Sequence, residues 1–204
     1  MQVQATTRQS YRQAARLLAL AFLDEPVSQR IYRQLTRDQI LRNLTIDFTG
    51  EMRICLRVGE PLEVRQDRVL AAAMIYPPGA YPLGRLDELF IQAATVIGHT
   101  RYDFRAWQTW LKEAGRLHPD APHYYLEYIG VEPTHQGQGL GSMLLTELTR
   151  SADAAKVGCY LETATERNVL LYQRFGFQII AQKEVIGLPA WFMWRPPKTP
   201  PCRG

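Results

Sequence analysis

The stretch His135-Gln136-Gly137-Gln138-Gly139-Leu140-Gly141-Ser142 has residue types and spacing that could do chemistry. It stands between an apolar run ending at Val131 and a segment rich in Leu144, Leu145 and Leu148. Glycines let a backbone approach a ligand closely, and the first turn of a helix leaves N–H groups unpaired at its positive dipole end. A strand, glycine turn and helix in that order therefore favour an anion. No acid lies between His135 and Thr146 to repel one. Several charge-assisted hydrogen bonds of about 1.5–3 kcal/mol each could hold a pyrophosphate. The same glycines could also serve only a tight turn, so the pattern by itself leaves the anion open.

Two familiar phosphate sites can be weighed on spacing. A P-loop needs Gly-Lys followed by Ser or Thr, whereas here Gly141 precedes Ser142 and no lysine follows before Lys156. A Rossmann turn is approximated by Gly137-x-Gly139-x-x-Ser142, with Glu162 near the distance of a ribose-binding acid. Only 42 residues follow Glu162 in this 204-residue chain, too few to complete a doubly wound sheet.

The elements that must position this turn can be read from periodicity. Tyr11, Ala14, Ala15, Leu18 and Phe22 recur at helical steps and predict a helix ending near Pro26, and a second helix is expected from Asp38 to Phe48. Ile54, Leu56 and Val58 alternate with Arg53, Cys55 and Arg57, which reads as a strand. After the Gly59-Glu60-Pro61 turn, Leu62 to Arg65 and Val69 to Tyr76 continue an antiparallel meander, broken by Pro77, Pro78 and Gly79. Leu86 to Ile97 and Arg105 to Leu117 are helical, the latter carrying Trp107 and Trp110.

From Tyr124 the order becomes strand, glycine turn, helix Leu140 to Lys156, strand Cys159 to Thr163, short helix Asn168 to Phe175, and two strands ending near Trp194. The expected fold is α+β, a single domain over residues 1–195, with a disordered tail over 196–204 where Pro196, Pro197, Pro200 and Pro201 have little to bury.

At this point the residues resemble a family. Gln136-x-x-Gly139-x-Gly141 is similar to the Q/R-x-x-G-x-G/A signature of the GNAT (GCN5-related N-acetyltransferase) superfamily. Tyr125-Leu126-x-x-Ile129-x-Val131-x-Pro133 before it, and Leu161-Glu162-Thr163 with Asn168, Tyr172, Gly176 and Phe177 after it, extend the likeness over residues 124–195. Within the superfamily, these blocks look most like puromycin N-acetyltransferase and its small-molecule-acetylating relatives.

The resemblance implies a mixed, mostly antiparallel sheet flanked by helices. It implies an acetyl-CoA-dependent N-acyltransferase with no metal, acting by direct transfer on a primary amine, most readily of a small molecule. Gln136, Gly137, Gln138, Gly139, Leu140, Gly141 and Ser142 would then wrap the pyrophosphate of coenzyme A. The main chain of Ile129 and Val131 would pair with its pantetheine arm, and Asn168 would hydrogen-bond it.

The same resemblance makes Tyr172 the acid for the departing thiolate and Glu162 the general base. Residue types alone also allow Tyr172 to be a core aromatic beside Phe175, and Glu162 to be a satisfied acid ending a buried strand. Glu127, His118 and His123 are reserve bases. Asp24, Glu25, Tyr32, Tyr81, Trp107 and Trp110 could furnish an acceptor pocket for a cationic amine, although paired tryptophans on a helix ordinarily pack a core. Cys159, opening a buried strand, reads as packing rather than an acyl carrier.

Composition sets the outer bounds. With 46% hydrophobic and 22% charged residues the chain is an ordinary globular sequence. Its 24 Lys+Arg against 20 Asp+Glu give a charge of +4, spread without a basic run, which argues against nucleic acid. Three separated cysteines imply neither a disulfide framework nor a zinc site, and no long apolar segment suggests a membrane span. The expected home is the cytoplasm, and the choice between monomer and homodimer is left open. A non-catalytic coenzyme A binding module or a Rossmann-type domain would be the rival functions.

Overall fold

The computed structural model describes residues 1–84, 87 and 104–198. Seven strands form one sheet in the order β1-β2-β3-β4-β5-β7-β6. They are β1 (Gln2–Ala5), β2 (Leu62–Arg65), β3 (Val69–Tyr76), β4 (His123–Val131), β5 (Gly158–Thr163), β6 (Gln178–Val185) and β7 (Leu188–Arg195). Every pairing is antiparallel except β4 with β5. The described helices are α1 (Tyr11–Ala21), α2 (Pro26–Ile31), α3 (Arg37–Val58), α4 (Phe104–Leu117), α5 (Leu140–Ala155) and α6 (Glu166–Arg174). None of them is long and apolar enough to cross a membrane.

The middle of the sheet is buried on both faces, and β3 shows it most plainly because all eight of its residues are buried. Ala72, Met74 and Tyr76 belong to a core shared with α1 and α3, whereas Ala71, Ala73 and Ile75 belong to a second core under α5. Alternation along β4 changes partway. Tyr124 and Leu126 face the second core and Tyr125 the first, yet Tyr128 faces the first and Ile129 and Val131 the second. The cause is a bulge: Ile75 pairs with Leu126 and Met74 with Tyr128, leaving Glu127 as the extra residue. A bulge re-aims side chains, and this one turns Tyr128 to the first core, where regular alternation would have put it on the second.

One sequence expectation is corrected. Residues 53–58 are not a strand but the last turns of α3, which runs 22 residues from Arg37 to Val58. Ile40, Leu44, Phe48, Met52 and Cys55 are all buried at helical steps, so the helical period continues through the segment whose short alternation imitates a strand. The helix also starts firmly. Thr36 accepts from Gln39 N–H and the Gln39 side chain accepts from Thr36 N–H, a capping box that the expected start at Asp38 overlooks.

Two elements gave no sequence signal. Strand β1 is an exposed edge strand without an apolar face, and α2 spans only six residues. Except for Asp87, the expected helix at 86–97 lies outside the described residues, as do residues 199–204 of the expected tail. Pro196 to Lys198 are described and exposed, with Lys198 Nζ 3.0 Å from Asp153.

Candidate active site

The glycine turn is built as the sequence suggests. After β4 a short 3-10 turn, Pro133–His135, leads into an extended Gln136, and α5 begins at Leu140 with Gly139 as its N-cap. Gly137 and Gly139 have φ of +77° and +83°, a conformation that other residues adopt only at a cost of about 1–2 kcal/mol. A Cβ at either would meet no atom within 4 Å, so backbone conformation rather than crowding demands glycine. No side chain caps the helix and its first turn carries no acid. Met143 N–H donates to Gly139 O at 3.0 Å, so the helical ladder starts there, and the N–H groups just before it have no partner within the helix.

Beside this turn the sheet comes apart. The parallel ladder joins His123, Tyr124 and Tyr125 of β4 to Gly158, Cys159 and Tyr160 of β5, and then stops. Beyond it, β4 continues through Ile129 and Val131 paired only with β3, and β5 continues through Glu162 and Thr163 paired only with β7. The two strands thus part after Tyr125 and Tyr160, and the opening runs along the rest of β4, whose end leads into the glycine turn.

A cleft of about 870 Å³ occupies this opening. Ile129, Val131, Gln136, Gly137, Gly139, Leu140, Gly141, Ser142 and Asn168 line it, and so do Glu162 and Tyr172. The structure therefore gathers on one cavity the first-choice acid and base and every residue expected to hold the cofactor except Gln138, which lies exposed on the turn outside the lining.

The chemistry-bearing wall combines carboxyls with phenols. Tyr125 OH donates to Glu162 Oε1 at 2.6 Å, while Glu162 Oε2 is buried with no hydrogen-bond partner. Burial pushes the Glu162 carboxyl up to about 7, the Tyr125 hydrogen bond opposing it. Burial, with the Glu162 charge adding to it, pushes Glu127 up to about 8. Tyr172 is buried, packs against Phe177 at 6.0 Å between ring centres, and belongs to the second core. Burial first, then the nearby Glu162 and Glu25, hold its phenol far above the ordinary range. It is thus both a core aromatic and a cleft residue, and it keeps its proton at any physiological pH.

The reserve histidines sit elsewhere. His118 and His123 are paired through their Nε2 atoms at 3.0 Å, and neither lines the cleft. Burial, with His123 nearby, lowers His118 to about 4. The candidate acceptor residues do reach the cavity: Asp24, Glu25, Tyr32, Tyr81, Trp107 and Trp110 all line it. Asp24 is engaged by Arg37, and Glu25 begins α2 instead of ending α1, its Oε2 accepting from Val27 N at 2.8 Å and Ser28 N at 3.2 Å. Cys159 is fully buried and burial pushes its thiol up to about 12, which leaves no thiolate for covalent catalysis.

Glu51 and Asp47 of α3 line the same cleft and were missed by sequence reading. A signal existed. Glu51 is three residues after Phe48 and four before Cys55, on the buried face of a helix whose length had been cut short.

Residues 51–177 match the acetyltransferase (GNAT) family. Solved structures share the fold at low identity. A Corynebacterium glutamicum protein described as histone acetyltransferase HPA2 and related acetyltransferase is 20% identical over 98% of both chains, with a TM-score of 0.69. Arylalkylamine N-acetyltransferase 2 from Aedes aegypti is 12% identical over 96% of this chain and 98% of its own, at 0.59. A Drosophila melanogaster polyamine N-acetyltransferase is 14% identical over 95% and 98%, at 0.55.

Proposed function

The chain belongs to the GNAT acetyltransferase family, and from that premise we propose that it is an acetyl-CoA-dependent N-acetyltransferase acting by direct transfer on a primary amine of a small molecule. The observation that carries this reading is that the uncapped glycine turn and the carboxyl and phenol wall open onto one cleft.

The residues fit the cofactor. The N–H groups from Gln136 to Ser142 would receive its pyrophosphate, and the positive end of α5, free of acids, would favour that charge. The parting of β4 from β5 leaves the Ile129 and Val131 backbone without a neighbouring strand on that side, available to the pantetheine arm, with Asn168 on the facing wall. Acetyl-CoA supplies a thioester whose acyl carbon bonds to the amine nitrogen as the C–S bond breaks, the nitrogen giving up one proton and the sulfur gaining one.

Glu162 takes the first proton. An alkylamine is neutral in only about one molecule in 10³ to 10⁴ at pH 7, so a base poised near neutrality is needed. Glu162 has that poise and an oxygen, Oε2, with no other partner. Tyr172 supplies the second proton through its hydroxyl, held protonated by burial and by the carboxylates beside it.

A small-molecule acceptor, of the kind taken by enzymes like puromycin N-acetyltransferase, is supported by the sequence blocks around Leu126–Gly141 and Leu161–Phe177. The arylalkylamine and polyamine enzymes that share the fold point the same way. The free buried thiols Cys55 and Cys159 suit a reducing cytoplasm.

Thermal unfolding with acetyl-CoA tests the foundation. At 100 times its Kd a ligand adds about 2.7 kcal/mol of stability, so Tm should rise, with no rise from NAD. Thiol release on a panel of amines then tests transfer, and stabilisation without turnover on any amine would make the protein a coenzyme A binding module instead.

A further inference from the structure

The cleft holds more carboxyl groups than the transfer of one acetyl group uses. Glu51, from α3, and Glu127, at the β4 bulge, both line it. Glu51 is only 7% exposed, and Oε2 of each residue is buried without a hydrogen-bond partner. Among the described residues no Lys or Arg forms an ion pair with either. Tyr128 stands beside Glu51 and Tyr76 beside Glu127, but no cation among the described residues does, and a buried carboxyl without one is destabilising, so a wall meant only for packing would carry apolar side chains there.

The acids form a connected series. Glu51 feels the charge of Glu127, and Glu127 feels that of Glu162. Aromatic rings line the same cleft: Phe48 and Tyr128 meet edge to face at 4.9 Å, and Phe22 and Tyr128 at 5.5 Å. Carboxyls within an aromatic enclosure suit an organic ammonium on a methylene chain. They do not suit a metal ion, since among the described residues no three acids, histidines or cysteines converge closely enough to hold one.

The reacting nitrogen cannot be the cation these acids await, because it must be a neutral amine when it attacks. A second nitrogen of the same molecule, which keeps its proton throughout, can be. We propose that the acceptor is an aliphatic diamine or polyamine, with Glu51 and Glu127 seating its non-reacting ammonium while the reacting amine lies at Glu162. The proposal rests on the acetyltransferase reading. In the empty cleft burial raises Glu51 and Glu127 above the ordinary carboxylate range, and an arriving ammonium favours their ionised forms. Binding therefore releases protons.

The test compares putrescine and cadaverine with butylamine and pentylamine in acetyl-CoA turnover followed by thiol release. The diamines should exceed the monoamines in kcat/KM by about 10- to 100-fold, the value of one charge-assisted contact. In Glu51→Gln that ratio should collapse through KM, while acetyl-CoA still raises Tm and so reports an intact fold. Calorimetry of putrescine binding in buffers of different ionisation enthalpy should show protons leaving the protein.

Equal rates for butylamine and putrescine, or a preference for phenethylamine over every diamine, would overturn the proposal and leave the acetyltransferase reading standing. If no amine is acetylated, the acetyltransferase reading fails by itself. Calorimetry then decides the binding claim, and putrescine binding no tighter than butylamine rejects it.

Discussion

Tyr125→Phe isolates one oxygen atom and predicts its effect on a pH profile. Tyr125 OH donates to Glu162 Oε1 at 2.6 Å, and this bond favours the ionised carboxylate against the burial that raises it to about 7. Hydrogen bonds to charged groups contribute about 1.5–3 kcal/mol, and 1.36 kcal/mol corresponds to one pKa unit. Removing the hydroxyl should therefore raise Glu162 by about one unit, with about two as the ceiling.

A base works deprotonated, so activity rises with pH through this pKa. At pH 7 the ionised fraction falls from about one half to about one tenth, a loss of about fivefold, and by pH 9 both proteins should be nearly equal. The ring is retained, so packing among Tyr76, Tyr81 and Tyr160 is preserved. The assay is kcat/KM for acetyl transfer from pH 5.5 to 9.5, with ionic strength fixed. An acidic limb that moves upward while the plateau is kept supports Glu162 as base. A uniform loss at every pH, or an unmoved limb, would refute it and leave the pair as a structural hydrogen bond.

Three further outcomes follow from the same geometry. Gly139→Ala forces alanine to φ +83° and should lower Tm of the free protein by about 1–2 kcal/mol equivalent, whereas Gly141→Ala meets only Val131 at 3.6 Å, an ordinary contact, and should leave the free protein as stable or more so. Both should shrink the stabilisation by acetyl-CoA, and a full Tm shift in Gly141→Ala would deny the phosphate site. Tyr172→Phe should keep acetyl-CoA binding and reduce kcat by about 10²-fold or more, read in single turnover, with unchanged kcat assigning Tyr172 to the core alone.

The last of the three concerns stability against pH. Glu25 and Glu162, raised to about 7, and Glu127, raised to about 8, all bind protons more tightly folded than unfolded, so their contribution is lost as pH rises through those values. His118, lowered to about 4, acts in the opposite sense only below its ordinary 6.5, so Tm should fall from pH 6.5 to 8, and Glu127→Gln should lessen the fall.

Much of the fold was legible because the elements around the glycine turn carry strong local signals. Leu144, Leu145 and Leu148 are buried on α5 as their spacing requires, and Gly137 and Gly139 do occupy the left-handed region that only glycine enters freely. The reading failed where two periods coincide. Ile54, Leu56 and Val58 alternate like a strand, but Cys55, Met52 and Phe48 extend a helical stripe, and the capped 22-residue helix wins because it buries more against the sheet. Length decided the question, and a window confined to 53–58 cannot measure length.

That single error also hid part of the site. A strand beginning at Arg53 leaves Glu51 in a connecting loop, where an acid needs no explanation; a helix through Val58 puts it on the face that touches the core. The bulge at Glu127, itself already a reserve base, hid the side on which Tyr128 lies, since alternation along β4 assigns sides to its residues only up to the residue that breaks the alternation. Residues that make a turn announce themselves by type, because glycine alone fits the conformation. Carboxyls on a binding wall are placed by register and helix phase, which are settled by packing between segments distant in sequence. Of the acids on this wall, Glu162 was singled out because Leu161-Glu162-Thr163 resembles a family block, while Glu51 became visible only when the full length of α3 was seen.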